Sequence, residues 1–466
     1  MPQILYTARK TLKNYANGGT VLMVATALAL LIVNLPFCTD FYNSLWTHKI
    51  ALQVGNFNLF SHHGEPMSIM GFINDALMAI FFFSVGLEIK REILVGELSS
   101  FRQALLPIIA AIGGMAIPVL IFFLIGRGSD YIGGAAIPMA TDIAFSLGVL
   151  AMLGNRVPVG LKIFLTTLAV VDDIGGILVI AIFYSSHISY LLLGIAAALL
   201  LLLACGGRLG IQSKIFYFGI GAFIWFLFLN AGIHPTIAGV LIAFCVPARP
   251  IYAPEKYIKT IRRNIGLFAR ENDDTLNSRT ILDKKQMNWL KEIETASDKV
   301  ISPLQDMEDS LHPVVNYIIV PLFAFANAGI FFGDLKLSAI VSGVSLAIIL
   351  GLVAGKFIGI FSFSWLCIRL GWAPMPEGTD YKQLAAVSML GGIGFTVSLF
   401  IANLSFGTGD PLLSQLLNNA KLGIVVASLL AGLLGWILLN ATLPKEKELT
   451  TLTSTEDKEP IISGKE

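Results

Sequence analysis

Residues 166–183 read TTLAVVDDIGGILVIAIF. Two adjacent aspartates, Asp172 and Asp173, sit in the middle of a run that is otherwise apolar and close to the ~20 residues a helix needs to cross a bilayer. A charged side chain near the bilayer centre costs at least ~2.5–3.5 kcal/mol on insertion scales, so an ionisable residue there points to function. Successive helical residues face about 100° apart, so the two carboxylates cannot point the same way, yet both can border one cavity. Gly175 and Gly176 follow one turn on and remove side-chain bulk, leaving room for water or another backbone. Ionised together, the carboxylates repel and desolvation penalises both charges, so protons and a cation compete for the same oxygens. A hard cation such as sodium prefers oxygen ligands, and a threonine hydroxyl or backbone carbonyls would complete the set.

The rest of the chain agrees with a membrane setting. Of 466 residues, 55% are hydrophobic and 14% charged, against roughly 45–50% and about 25% in a soluble domain. A net charge of +1 argues against nucleic acid as a partner. Cys38, Cys205, Cys245 and Cys367 form no CxxC pair and are read as packing residues. The six histidines show no HExxH spacing, so neither a zinc site nor any other cofactor is expected.

Apolar windows predict about twelve transmembrane helices, at 17–36, 68–89, 103–126, 132–151, 158–184, 188–205, 214–230, 233–247, 313–332, 338–367, 383–404 and 413–440. Lys and Arg collect in alternate connections, which by the positive-inside rule puts both termini in the cytoplasm and requires an even number of spans. The expected organisation is a cytoplasmic N-terminus (1–16), one membrane transport domain (17–440) and a disordered cytoplasmic tail (441–466). A charge-mixed cytoplasmic loop at 248–312 interrupts the membrane domain. The early run TVLMVATALALLIVNL follows a basic patch but lacks a convincing cleavage site, and is read as the first span.

Two spans carry breakers in mid-membrane, GGAAIPMATDIAFSLG (133–148) and SMLGGIGFTVSLF (388–400), one in each half of the chain. Such a pair marks a transporter site made from discontinuous helices in inverted repeats. The preceding spans echo each other, IIAAIGGMAIP against IILGLVAGKFIG, with Gly114-Met115 opposite Gly355-Lys356. Four ionisable residues fall in mid-span: Asp142, Asp172, Asp173 and Lys356. Lys356 either pairs with Asp172 or neutralises the carbonyl ends of broken helices, while Asp142 neutralises the opposing amide ends. The structural alternative is a permanent Asp–Lys pair that only holds helices together. Thr141 is a further oxygen donor, although threonine in a membrane helix usually bonds its own backbone. His234 is read as a helix-end residue. Glu88, Lys90, Arg91 and Glu92, in VGLEIKREI, form either a solvated helix end or, with His312, a pH sensor.

With those residues in view, the chain resembles the NhaA-type bacterial sodium/proton antiporters from about residue 15 to 440. The matching stretches are YANGGTVLM, FFSVGLEIKRE, AAIGGM, AIPMATDIAFSLGVLAMLGNRVP, LKIF, VVDDIGG, PLFAFANAG, AGKFIGI, PEGTDY and GGIGFTVSLFIA. The resemblance implies an all-α polytopic membrane protein with two discontinuous crossing helices at Thr141 and Asp142. It also implies Asp173 and Asp172 as alternating acceptors of the cation and the proton, Asp173 being the principal sodium ligand, with Lys356 close to Asp172. The pH response would map to Glu88, Glu92 and the segment MEDSLHP. There the sequence departs from the family pattern, since Asp309 stands where a histidine is expected and His312 remains. The 248–312 loop is longer than the usual connection.

The function expected is an electrogenic Na+ (or Li+)/H+ antiporter of the bacterial inner membrane. It would serve pH and sodium homeostasis, by alternating access and without enzymatic activity. Its partners would be Na+, Li+, H+, the lipid bilayer and, from the resemblance, a second copy in a homodimer. A rival is proton-coupled transport of another small solute, but no arginine lies in mid-span to recognise one. An intramembrane aspartyl protease is the enzymatic rival, because GTGD at 407–410 matches its GxGD pattern. Asp410, however, falls in a loop beyond a span end, and no Tyr-Asp partner exists.

Overall fold

The computed structural model describes residues 18–51, 53–54, 57–58, 60–62, 65–185, 188–249, 254–270, 282–331, 340–341, 343–407 and 410–444. The expected N-terminal segment, the tail from 445 and part of the 248–312 loop lie outside them. The described chain is nearly all helical. Its β pairing consists of two-residue hairpins, Gln53–Val54 with Phe57–Asn58 and Ser61–His62 with Glu65–Pro66, and a single Lys49–Ser68 bridge.

Each of the twelve apolar windows holds a helix or a broken helix. By length and composition nine described helices qualify as membrane spans, and a tenth if the pair Tyr381–Leu390 and Phe395–Phe406, bent by 43°, counts as one. Gly18–Val33 and Thr236–Cys245 are apolar but shorter, so the count of twelve is not reached on this criterion. One boundary differs from the hydropathy window. The helix expected from 313 begins at Pro303, because PLQDMEDSLHPV forms an amphipathic helix continuous with the apolar segment to Asn327. The rest of the charged insertion forms two amphipathic helices, Pro254–Arg270 and Lys284–Val300, packed on each other. The second starts at a capping box in which Asp283 and Gln286 exchange hydrogen bonds.

The chain divides into two compact units. One comprises Met1–Met78, Glu92–Ser186 and Val315–Glu466; the other comprises Ala79–Arg91 and His187–Val314. In the first unit, Phe101–Ile125 packs along Lys356–Arg369 at a glycine seam. A Cβ on Gly359 would lie 2.1 Å from the Gly113 carbonyl oxygen, and one on Gly355 would lie 2.9 Å from Cα of Pro118. Small residues let helix backbones meet this closely where no hydrophobic effect drives association. The weak echo between the two segments in sequence is therefore a packed pair in space. A π-helical stretch, Leu350–Gly355, immediately precedes Lys356; such single-turn insertions re-aim side chains and recur at functional sites. Two others occupy Phe72–Leu77 and Val315–Ile319.

Candidate functional site

Both predicted breaks are real. Between the short 3-10 turn Ile137–Met139 and the helix Ile143–Met152, Ala140 and Asp142 are extended. In the other segment Gly391 ends Tyr381–Leu390 before Phe395–Phe406 begins. Backbone groups freed at membrane depth need partners within the protein. Here the two breaks supply each other: Asp142 N–H donates to the Ile393 carbonyl (2.6 Å), Ser146 Oγ to that of Leu390 (3.1 Å) and Ser398 Oγ to that of Ile137 (2.8 Å).

Asp142 joins two helix starts. Its Oδ1 accepts from the Phe145 N–H (2.9 Å), as a helix N-cap; its Oδ2 accepts from the N–H (3.0 Å) and the hydroxyl (2.5 Å) of Thr396. The carboxylate therefore faces the amide ends of both half-helices, where a negative charge is favoured. Thr396 was not among the sequence candidates, although GFTVS placed a hydroxyl residue at the start of the helix after the break, a typical capping position.

Thr141 turns the other way. Its hydroxyl lies 2.6 Å from Asp172 Oδ2 and 2.9 Å from the Gly391 carbonyl oxygen, and it accepts from Lys356 Nζ at 2.9 Å. Lys356 also pairs directly with Asp172 Oδ2. Of the two sequence readings, Lys356 thus takes the pairing with Asp172, while the carbonyl end at Gly391 is met by Thr141. The usual expectation for a membrane threonine does not hold at Thr141, because its own segment is not helical there.

Asp172 and Asp173 both lie buried on Val159–Phe183, with Thr141, Asp142 and Lys356 buried beside them. Asp173 is within electrostatic reach of Lys356. The second oxygen of Asp172, Oδ1, is fully enclosed and has no hydrogen-bond partner among the described residues. A buried, unpartnered carboxylate oxygen is costly and calls for an explanation in function. The two glycines after the acids differ. A Cβ on Gly175 would sit 2.1 Å from Met115 Sδ, so the space expected for water or backbone holds a thioether; beside Gly176 nothing comes within 4 Å. Among the described residues no group of three His, Cys, Asp or Glu side chains has metal-binding geometry.

The second unit holds most of the expected pH-response residues. Lys90 donates to the carbonyls of Phe244 (2.7 Å) and Val246, closing the end of Thr236–Cys245. Arg91 Nε pairs with Glu308 Oε1 at 2.9 Å, and these two line a cavity of about 400 Å³ with Ile301, Gln305 and Asp309. Glu88 is half-buried in this unit and His312 is exposed. Glu92 belongs to the first unit, where its carboxylate accepts from the Glu97 N–H at 3.1 Å. Glu308 was passed over within MEDSLHP; the helical start at Pro303 is what aims it at Arg91. His234 bonds Thr236 at a helix start. Asp410 caps Pro411–Thr442 through Leu412 N–H, a structural duty rather than a protease dyad. The structure also buries Lys421, within Pro411–Thr442, and half-buries Asp75, within Phe72–Leu77; neither is among the sequence candidates.

Known proteins give the same reading. A sequence model described as Na+/H+ antiporter 1 matches residues 9–439. The chain is 55% identical to a Na(+)/H(+) antiporter NhaA of Phocaeicola vulgatus, over 93% of this chain and 95% of that one. It is 53% identical to the protein of that name from Bacteroides thetaiotaomicron, over 95% and 99%, and 48% identical to that from Porphyromonas gingivalis, over 92% and 94%. Broken helices that complete each other, buried acids on a neighbouring span and a match over nearly the whole length converge, and the chain belongs to the Na+/H+ antiporter 1 family.

Proposed function

We propose that this protein is a secondary active transporter that exports Na+, or Li+, in exchange for protons, with Asp172 and Asp173 as the shared acceptors. The observation that carries the reading is the state of Asp172: one oxygen is held by Lys356 and Thr141, and the other is buried and empty-handed. A cation entering beside Asp173 would use that oxygen, together with the Thr141 hydroxyl, and would compete with Lys356 for the carboxylate. Protons reverse the step by neutralising the same oxygens. The crossing of broken helices, fixed by Asp142, supplies a frame that can rock as a body around the site.

Two protons per sodium would carry one net positive charge inward each cycle, driven by about 2.3 kcal/mol per 100 mV of membrane potential. Exchange is then electrogenic, and turnover indifferent to an imposed potential would contradict it. The family likeness supports the bacterial inner membrane and a homodimer, and the charge asymmetry supports both termini being cytoplasmic. The pH response falls to Glu88, Glu92, Asp309 and His312, of which Asp309 lines the cavity beside the Arg91–Glu308 pair. The test uses everted vesicles carrying a pH-gradient dye. Sodium and lithium should collapse the respiratory proton gradient with the wild type and not with Asp173→Asn, while potassium does neither; an unaltered response in the variant would defeat the assignment.

A further inference from the structure

A cavity of about 680 Å³ opens in the first unit between the start of Phe101–Ile125, the start of Val159–Phe183 and the segment 374–378. Five polar side chains line it: Glu97, Arg102, Gln103, Thr167 and Glu377. Among the described residues none of the five side chains makes a hydrogen bond or ion pair. Thr167 is the telling one. It is only 3% exposed, yet its hydroxyl ignores the backbone, whereas the neighbouring Thr166 takes the ordinary bond to the Lys162 carbonyl at 3.0 Å. The floor and walls are apolar, from Leu106, Pro107, Ile163, Phe164 and Met375. Val159 at the rim is 69% exposed, and Phe101, next to Arg102 in the chain, is 80% exposed; on a membrane protein such apolar exposure faces lipid.

We propose that this cavity binds one phospholipid whose headgroup carries both a phosphate and a primary ammonium. The size is that of a small-molecule site with a few polar groups on apolar walls. The Arg102 guanidinium matches a phosphate, and the Glu97 and Glu377 carboxylates accept from an ammonium. Gln103 and Thr167 are left for the glycerol ester oxygens, and the apolar wall for the upper acyl chain. Two carboxylates against one guanidinium leave the lining net negative, which disfavours an anionic headgroup; a quaternary ammonium cannot donate to the carboxylates. The lipid would press on the point where a Cβ at Gly160 would come 2.4 Å from the Glu377 carbonyl oxygen, and so brace the helix that carries Asp172 and Asp173.

The experiment is native mass spectrometry of the purified full chain with phosphatidylethanolamine, phosphatidylglycerol and phosphatidylcholine in equimolar competition, with thermal unfolding in each lipid alongside. Phosphatidylethanolamine should be retained in preference, one per protomer, and should raise Tm most. Arg102→Gln, and separately the double change Glu97→Gln with Glu377→Gln, should weaken its retention about tenfold, while Lys162→Gln outside the cavity leaves it unchanged. Equal retention of the three lipids by the wild type, or preference for phosphatidylglycerol, overturns the proposal without relying on any variant. So does a several-fold rise in KM for sodium in the double carboxylate variant assayed in pure phosphatidylcholine, which would make the cavity an ion vestibule.

Discussion

Asp142 and Thr396 are 254 positions apart in sequence and share three atoms of one hydrogen-bonded junction. The carboxylate reaches both the N–H and the hydroxyl of Thr396 while capping its own helix. Replacing it by Ala strands the amide ends of two half-helices in a dry interior. Hydrogen bonds to a charged group contribute about 1.5–3 kcal/mol each, so Asp142→Ala should lower Tm by roughly 5–10 °C and abolish transport. Asp142→Asn, which keeps an acceptor oxygen, should keep most of the stability. Equal Tm values for wild type and Asp142→Ala would refute the junction.

Lys356 and Asp172 form a buried pair, and breaking such a pair costs about 3–5 kcal/mol when one charge remains alone. Lys356→Gln and Asp172→Asn should each destabilise. Their combination should cost clearly less than the sum, because no charge is then stranded. Additive losses in a double-mutant cycle would show that the pair is not coupled.

The glycine seam gives a steric prediction. Gly359→Ala would set a methyl against the Gly113 carbonyl oxygen, backbone against backbone, so the helices must part. Overpacking of this kind costs about 1–3 kcal/mol. Because Lys356 lies one turn away on the same helix, transport should fall along with stability. A fully active Gly359→Ala variant would argue against the close packing.

Tyr42 carries an alkaline limit. It packs edge-on against Trp46 and Phe325, donates toward the carbonyls of Phe325 and Ala326, and burial pushes its phenol from 10.0 up to about 12. Between those values the folded chain holds a proton that the unfolded chain has released, so stability falls as pH rises. The contribution is whole below pH 10 and lost by about pH 12, about 3 kcal/mol in all. Tyr42→Phe should start less stable and lose less Tm over that window, and parallel Tm curves would contradict this.

The Arg91–Glu308 pair is partly exposed and should contribute under ~1 kcal/mol to stability. Glu308→Gln should therefore leave Tm within ~2 °C but displace the pH profile of transport. An unmoved profile would remove the pair from the pH response.

Much of this was legible in the sequence, for physical reasons that differ from residue to residue. Asp172, Asp173, Asp142 and Lys356 stand out because charge amid hydrocarbon has few innocent explanations, and the breaks at 140–142 and 391–394 announce themselves through Gly and Pro. Thr396, Glu308 and Met115 did not, since their roles depend on which distant segment arrives opposite them. The π-helical turn before Lys356 has no local signature in LGLVAG, yet it sets where the ammonium points. Gly175 shows the converse: the missing side chain was visible, and the Met115 thioether that fills its place was not.

The most direct test of the central claim counts protons released when sodium binds to purified protein in weakly buffered solution near neutral pH. Competition for the same oxygens predicts release of about one to two protons per sodium bound, abolished in Asp173→Asn together with binding. Sodium binding that releases no protons would contradict the account.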